Sequence, residues 1–331
     1  MGLWDDIAAI KDKVDSFILS NLEDVSNDSL KKASLHLIKA GGKRLRPFIT
    51  VTVCKMLGGS EHEVIPVASA IELVHNFTLI HDDIMDQDAF RRGTPTVHTL
   101  WGIPMAIIAG DLLFSKAFSM IFKNVEGGET FDERRSMCAH LLANAINYLA
   151  IGQAMDIEFE KRWDVTEDEY FQMIKYKTAF LFGAASLCGG VIAGASSLQM
   201  DLLKDFGLSY GVLFQLTDDL LGLIGDPKKT GKPVGSDVRR GKKTLPIIYA
   251  LSKVEESEKT ILLDVLSGRK SEDSDVKLAI SIIEGSGAID YTRERVERYA
   301  SDARKALEKL PQNEYNAKLQ ELVEYTISRT R

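Results

Sequence analysis

Residues 66–86, PVASAIELVHNFTLIHDDIMD, are apolar on almost every side of a helix for roughly six turns. Such a helix needs other helices around it, so it belongs in the middle of a large helical core. The same stretch delivers Asp82, Asp83, Asp86 and Asp88 to its end, with Arg91 and Arg92 close behind. Charges in that position are costly to bury unless something pairs them. The chain must therefore build a helical core that presents several carboxylates at one edge.

Helical punctuation continues along the sequence. Residues 29–40 stop at Gly41-Gly42, Pro47 opens a run that stops at Gly58-Gly59, and Pro66 is expected to open the buried helix. Further helical periodicity covers 104–123, 134–158, 167–193, 199–225, 245–253 and 291–309, while strand alternation is scarce. The expected class is all-α. No break in composition marks a boundary, so 1–331 is read as a single domain, with exposed connections near 124–133, 225–243 and 267–275.

With 45% hydrophobic residues the chain can bury a large core, and a net charge of −7 argues against general nucleic-acid binding, which needs a basic face. Cys54, Cys138 and Cys188 are widely spaced and odd in number, which fits reduced thiols in the cytoplasm better than a disulfide framework. The start, MGLWDDIAAIKDKVDSF, puts acidic residues where a signal peptide needs an apolar run, and Asp6 departs from the myristoylation pattern. No stretch reaches about 18 uninterrupted apolar residues, so no membrane span is expected.

Paired aspartates appear a second time, as Asp218 and Asp219 in YGVLFQLTDDLLGLIGDP. In the first set a spacing of four puts Asp82 and Asp86 on one face, one turn apart. Carboxylates repel at that spacing, and the C-terminal end of a helix is already partly negative. A bound cation relieves both effects. Oxygen-only donors suit Mg²⁺, which keeps several waters and is shared with substrate phosphates. One such pair would be an ordinary solvated helix end; two in apolar helices argue for a site.

Basic residues supply the complement. GGKRLRP (41–47) carries Lys43, Arg44 and Arg46; Arg91 and Arg92 follow the first aspartates; Lys228, Lys229, Lys232, Lys242 and Lys243 follow the second. Any one cluster would ordinarily be a solvated face. Carboxylates that hold Mg²⁺ beside cations that touch phosphate oxygens describe a site for diphosphate esters. The nucleotide loops G-x-x-x-x-G-K-[ST] and G-x-G-x-x-G, the G-x-S-x-G elbow and H-E-x-x-H are all absent. Of six histidines, His75 and His81 lie near the first acidic cluster.

GGKRLRP, LIHDDIMDQDAFRRGTPTVH, GQAMD (152–156), YKTAFLF (176–182) and FQLTDDLLGLIGDPKKTGKPVGSDVRRGKKTLP occur in the order typical of trans-isoprenyl diphosphate synthases, which the chain resembles over about two-thirds of its length. The resemblance implies an isoprenoid synthase-type helical bundle around a central cavity, a homodimer, and two aspartate motifs facing each other across the cavity mouth. It also implies Mg²⁺-assisted head-to-tail condensation of an allylic diphosphate with isopentenyl diphosphate. By the same resemblance Asp82, Asp86 and Asp218 are the main metal ligands, supported by Asp83 and Asp219. Arg91, Lys177 and Lys232 hold the allylic diphosphate. Lys43, Arg46, His75 and Arg92 bind isopentenyl diphosphate, and Thr178 and Gln215 lie beside the reacting carbons. Lys242 closes over the site on a loop that Asp237 orders.

One departure stands out: the third aspartate of the second motif is replaced by Gly222. It signals either a non-catalytic subunit or a tolerated loss, and the complete anion-binding set favours the second. Product length in such enzymes is set below the first motif. Phe77 at the fifth position before it, small Thr78 at the fourth, and Val74 one turn deeper resemble archaeal-type C20 synthases, with a C15 farnesyl product as the alternative. A class I terpene cyclase shares an aspartate-rich Mg²⁺ site but has no need of a second diphosphate pocket.

Overall fold

The computed structural model describes residues 2–225 and 235–329. The order is α1 (Leu3–Asn21), α2 (Asp28–Lys39), α3 (Leu45–Met56), α4 (Glu61–Met85), a hairpin of β1 (Phe90–Arg91) and β2 (Thr94–Pro95), α5 (Val97–Trp101), α6 (Ile103–Ile121) and α7 (Glu133–Glu160). Then follow α8 (Glu167–Ile174), a π-helical turn (Lys175–Ala179), α9 (Phe180–Ala193) and α10 (Ser197–Ile224). Beyond residue 235 come α11 (Ser236–Arg239), α12 (Leu245–Lys253), α13 (Glu256–Leu266), α14 (Asp273–Gly285), α15 (Ala288–Glu308) and α16 (Glu314–Ser328). The fold is all-α, as expected.

The chain divides into two compact units: Met1–Ile146 with Ala184–Lys204 and Leu307–Leu319, and Asn147–Gly183 with Asp205–Ala306 and Gln320–Arg331. In the first, α4 packs against α1, α3 and α6. Its Val67, Ile71, Leu73 and Val74 are at most 1% exposed, which accounts for a sequence apolar all round. Each such side chain contributes roughly 1.5–3 kcal/mol on burial. Contrary to expectation, α4 starts before Pro66, after Ser60, with Glu61 and Glu63 in its first turn favouring the positive helix end. Pro66 then lies in the second turn and forfeits one backbone bond.

The hairpin was not foreseen. Phe90 pairs with Pro95 and Arg91 with Thr94, leaving Arg92-Gly93 as a two-residue turn with both φ angles positive, 53° and 75°. Its strands are too short to show alternation. Cys54, Cys138 and Cys188 are buried free thiols.

In the second unit, α8 opens on a capping box between Thr166 and Glu169, and Tyr210 on α10 meets the Thr326 hydroxyl at 3.1 Å. The expected connection at 225–243 contains α11, and α14 begins inside that expected at 267–275. Among the described residues three helices are long and apolar enough by length and composition to cross a membrane: Glu61–Met85, Glu167–Ala193 (counted through the π turn) and Ile103–Ile121. The first two spend that hydrophobicity inside the fold, 72% and 67% buried. Only 33% of the Ile103–Ile121 window is buried.

Candidate active site

The first unit assembles one half of the candidate chemistry. At the end of α4, Asp82 and Asp86 are partly exposed one turn apart, and the Asp86 N–H closes the helix on the Asp82 carbonyl at 2.8 Å. Asp83 points the other way and is fully buried, its Oδ1 accepting from Arg91 Nε at 2.5 Å and its Oδ2 meeting no donor. Burial, with repulsion from Asp82 and Asp86, pushes its carboxyl up to about 6 against the pull of Arg91. Asp83 therefore anchors Arg91, which also lies 3.7 Å from Asp88.

The hairpin turn carries Arg92 back to α2, where its guanidinium donates to the Leu37 and Gly41 carbonyls. Arg44, left-handed at φ 52°, donates to the Gly41 and Ile38 carbonyls and pairs with Asp15 at 2.7 Å and Glu72 at 3.2 Å. A Cβ on Gly42 would stand 2.7 Å from the Arg44 Nη1 and 2.8 Å from the Arg92 Cζ, so the glycine makes room for two guanidiniums. Desolvation and the charges of Arg46, Arg92, Arg91 and Arg44 hold the His75 imidazole well below the usual range, so it is neutral at neutral pH. Lys43 is exposed, its ammonium 5.8 Å from the Trp4 ring. The four residues expected to take one diphosphate thus split: Arg46, His75 and Arg92 belong to one basic cluster, and Lys43 lies at the surface.

On the same helix, one turn below, Phe77 makes edge-to-face contacts with His81 and with Phe114 of α6, both at 5.5 Å, and Phe114 continues to Phe118 at 5.3 Å. Val74 is fully buried, and Thr78 is half-buried with its hydroxyl on the His75 carbonyl.

The second unit holds the other half. Lys177 and Thr178 lie in the π-helical turn, a distortion that recurs at functional sites. A Cβ on Gly152 would be 2.3 Å from the Lys177 nitrogen, and one on Gly211 2.4 Å from the Ala179 Cα, so two helices press on the turn through glycines. Asp156, 7% exposed, accepts from Lys177 at 2.6 Å and Lys242 at 3.1 Å; Lys242 also reaches Glu160 at 2.8 Å. Burial alone would raise the Asp156 carboxyl, but the two lysines outweigh it and hold it below the usual range.

A relay runs beside them. Thr178 donates to Gln215 Oε1 at 2.9 Å, Gln215 Nε2 donates to Asp219 Oδ1 at 2.8 Å, and Tyr170 donates to Asp219 Oδ2 at 2.5 Å. Both Asp219 oxygens are engaged, and burial, with Asp237 and Asp218 nearby, pushes its carboxyl up to about 7. Asp218 is more open and pairs with Arg329 at 2.9 Å. Lys232 lies outside the described residues.

Sequence reasoning left Asp156 without a role although GQAMD ends on it, and missed Glu160, Tyr170 and Arg329 entirely. The i, i+4 spacing of Asp156 and Glu160 was the available signal for the first two; nothing local announced the others.

Among the described residues no three Asp, Glu, His or Cys side chains converge by themselves on a cation. The donors in each unit fit Mg²⁺ shared with a substrate: hard oxygens, of which Asp82, Asp86 and the Arg329-paired Asp218 are partly exposed, while Asp83 and Asp219 are buried on Arg91 and on Tyr170 with Gln215.

Residues 27–283 match the polyprenyl synthetase family. Geranylgeranyl diphosphate synthase of Saccharolobus solfataricus is 42% identical over 96% of this chain and 94% of its own, and geranylfarnesyl diphosphate synthase of Aeropyrum pernix 45% over 96% and 99%. The crystal structure of geranylgeranyl pyrophosphate synthetase from Pyrococcus horikoshii superposes with a TM-score of 0.91 at 40% identity, covering 98% of each chain. The chain belongs to the polyprenyl synthetase family.

Proposed function

We propose that this chain condenses isopentenyl diphosphate head-to-tail with C5 to C15 allylic diphosphates and releases mainly geranylgeranyl diphosphate. It is a prenyltransferase of the short-chain trans class. The observation that carries the two-substrate reading is the packing of the Arg44 and Arg92 guanidiniums at Gly42, in the unit where Arg91 is anchored on Asp83 next to Asp82. One diphosphate is held through the aspartates, and a second needs its own cations. A terpene cyclase would have no use for the second set.

Asp82 and Asp86 of the first unit and Asp218 of the second, supported by Asp83 and Asp219, are the residues that would hold Mg²⁺, which would supply neutralisation of charge on the departing diphosphate. Lys177, Lys242 and Arg91 bind its oxygens, Lys232 joining them, as negative charge develops. Arg46, Arg92 and His75 hold isopentenyl diphosphate so that its double bond faces the allylic carbon, and the exposed Lys43 reaches the same diphosphate from the surface. The allylic C–O bond breaks, a C–C bond forms, and a proton leaves the new chain for the released diphosphate. Thr178, fixed through Gln215 and Asp219, lines the reacting carbons.

Phe77, backed by Phe114, stops the growing chain at C20. The exposed Ile103, Ile107, Ile108 and Phe114 of α6 form the face on which a second copy docks, giving a homodimer. The family's homodimeric habit and the apolarity of a helix only 33% buried support this.

Purified protein is incubated with Mg²⁺, isopentenyl diphosphate and each of the C5, C10 and C15 primers, and the dephosphorylated products are separated. A dominant C20 alcohol supports the whole reading. A C25 product, as the Aeropyrum relative's name suggests, or a C15 product keeps the chemistry and moves the floor. No condensation by folded protein leaves a non-catalytic subunit.

A further inference from the structure

His81 immediately precedes the first aspartate motif and has no role in the condensation itself. Its place in the fold is nonetheless specific. It lies four residues after Phe77 on α4, and helical side chains lean toward the N-terminus, so its ring covers Phe77 from the side of Asp82. The two rings meet edge to face, with centroids 5.5 Å apart and planes at 88°. Phe114 of α6 meets Phe77 in the same manner from the neighbouring helix, at 5.5 Å and 71°.

The imidazole is itself fixed to α6. Its Nε2 lies 3.1 Å from the Ile107 carbonyl oxygen, which only accepts, so that nitrogen carries a proton and donates it to the bond. The Asp111 carboxylate stands 4.0 Å from the same nitrogen, beyond hydrogen-bonding reach. A Cβ on Gly110 would stand 2.2 Å from Nε2 and 2.6 Å from Cδ2, so the ring fills the space that a side chain at 110 would take. Ile107, Gly110 and Phe114 are spaced by three and four residues and share one face of α6. All five residues belong to the first unit.

We propose that His81 is a positioning residue for product length: anchored on α6 at Ile107 and Gly110, it holds the Phe77 ring across the path of the growing chain. This rests on the reading of Phe77 as the floor. A phenylalanine on a helix has two open settings of χ1, and a floor that swings between them would let a longer chain pass. Edge contacts from His81 and Phe114 select one setting.

Four variants test it: His81→Gln, His81→Ala, Phe77→Ala and the double His81→Gln/Phe77→Ala. Glutamine keeps a donor for the Ile107 carbonyl but removes the ring. Two readouts are used: the chain lengths of the dephosphorylated products, and the rise in melting temperature produced by Mg²⁺ with a C25 allylic diphosphate. His81→Gln should raise the share of products longer than the wild type's main product about fivefold, and should gain stabilisation by the C25 diphosphate. His81→Ala should shift both readouts in the same direction, and His81→Gln decides the matter if the alanine variant does not fold. Because His81 acts through Phe77, the double variant should match Phe77→Ala with no further shift. A merely structural His81 would lower melting temperature and leave chain length alone. Wild-type chain lengths and C25 response in His81→Gln overturn the proposal, as does a shift in the double variant beyond that of Phe77→Ala. A shift in Phe77→Ala without one in His81→Gln removes His81 and leaves the floor, whereas no shift in Phe77→Ala removes both. If the wild type condenses nothing, the C25 melting response still decides this assignment while the catalytic reading falls.

Discussion

The backbone nitrogen of Lys177 stands 2.3 Å from where a side chain on Gly152 would begin. The π-helical turn that carries Lys177 and Thr178 is therefore positioned by the bare backbone of α7. Gly152→Ala should push the turn away, lower kcat about a hundredfold and leave the isopentenyl diphosphate KM near the wild-type value. Steady-state kinetics with each substrate varied separately would show it; an unchanged kcat would remove Gly152 as the positioning contact.

Asp156 sets two lysines at once, at 2.6 and 3.1 Å. In Asp156→Asn both ammonium groups lose their shared counter-charge, so the allylic KM should rise and the fold lose about 2 kcal/mol at neutral pH, less than for a fully buried pair because Lys177 keeps some solvent access. The folded carboxyl titrates below its ordinary 3.8. Its contribution is thus present above that pH and lost as the pH falls through the folded value. Acid unfolding curves of the two proteins should converge at low pH; parallel curves would contradict this.

Lys243 donates to the Gly241 carbonyl at 2.7 Å and lies 4.3 Å over the Trp163 ring, and burial pushes its ammonium from 10.5 down to about 8. Below that value folded and unfolded chains are both protonated and the burial cost is complete. Between about pH 8 and 10.5 the folded chain releases its proton first, so stability contributed here rises with pH. Lys243→Met should remove that rise in denaturant unfolding at about pH 7 and about pH 10. An equal alkaline slope in both proteins would refute the assignment.

Phe77 joins two edge-to-face contacts across α4 and α6. Phe77→Ala should cost about 3 kcal/mol through the cavity it leaves and shift product toward longer alcohols. Chromatography of dephosphorylated products reads the outcome, and an unchanged distribution would move the floor elsewhere.

Much of the molecule was legible in the chain because its signals are local. Helical periodicity, glycine stops and the runs GGKRLRP, DDIMD and QLTDD each encode neighbours within a turn or two, and they gave the all-α class, most helices and the aspartate, arginine and lysine candidates. Pro66 misled because its local preference for a helix start yielded to the acids Glu61 and Glu63, which favour the positive helix end just after Ser60. Tertiary structure alone decided which carboxylates stay accessible. Asp82 and Asp83 are adjacent in sequence, yet helical geometry turns one outward and buries the other on Arg91. Asp219 is engaged by Tyr170, 49 residues away, and Asp156 by Lys242, 86 residues away. No sequence window spans such distances, and only packing brings the tyrosine and the lysine to their partners, because a buried polar group is costly without one.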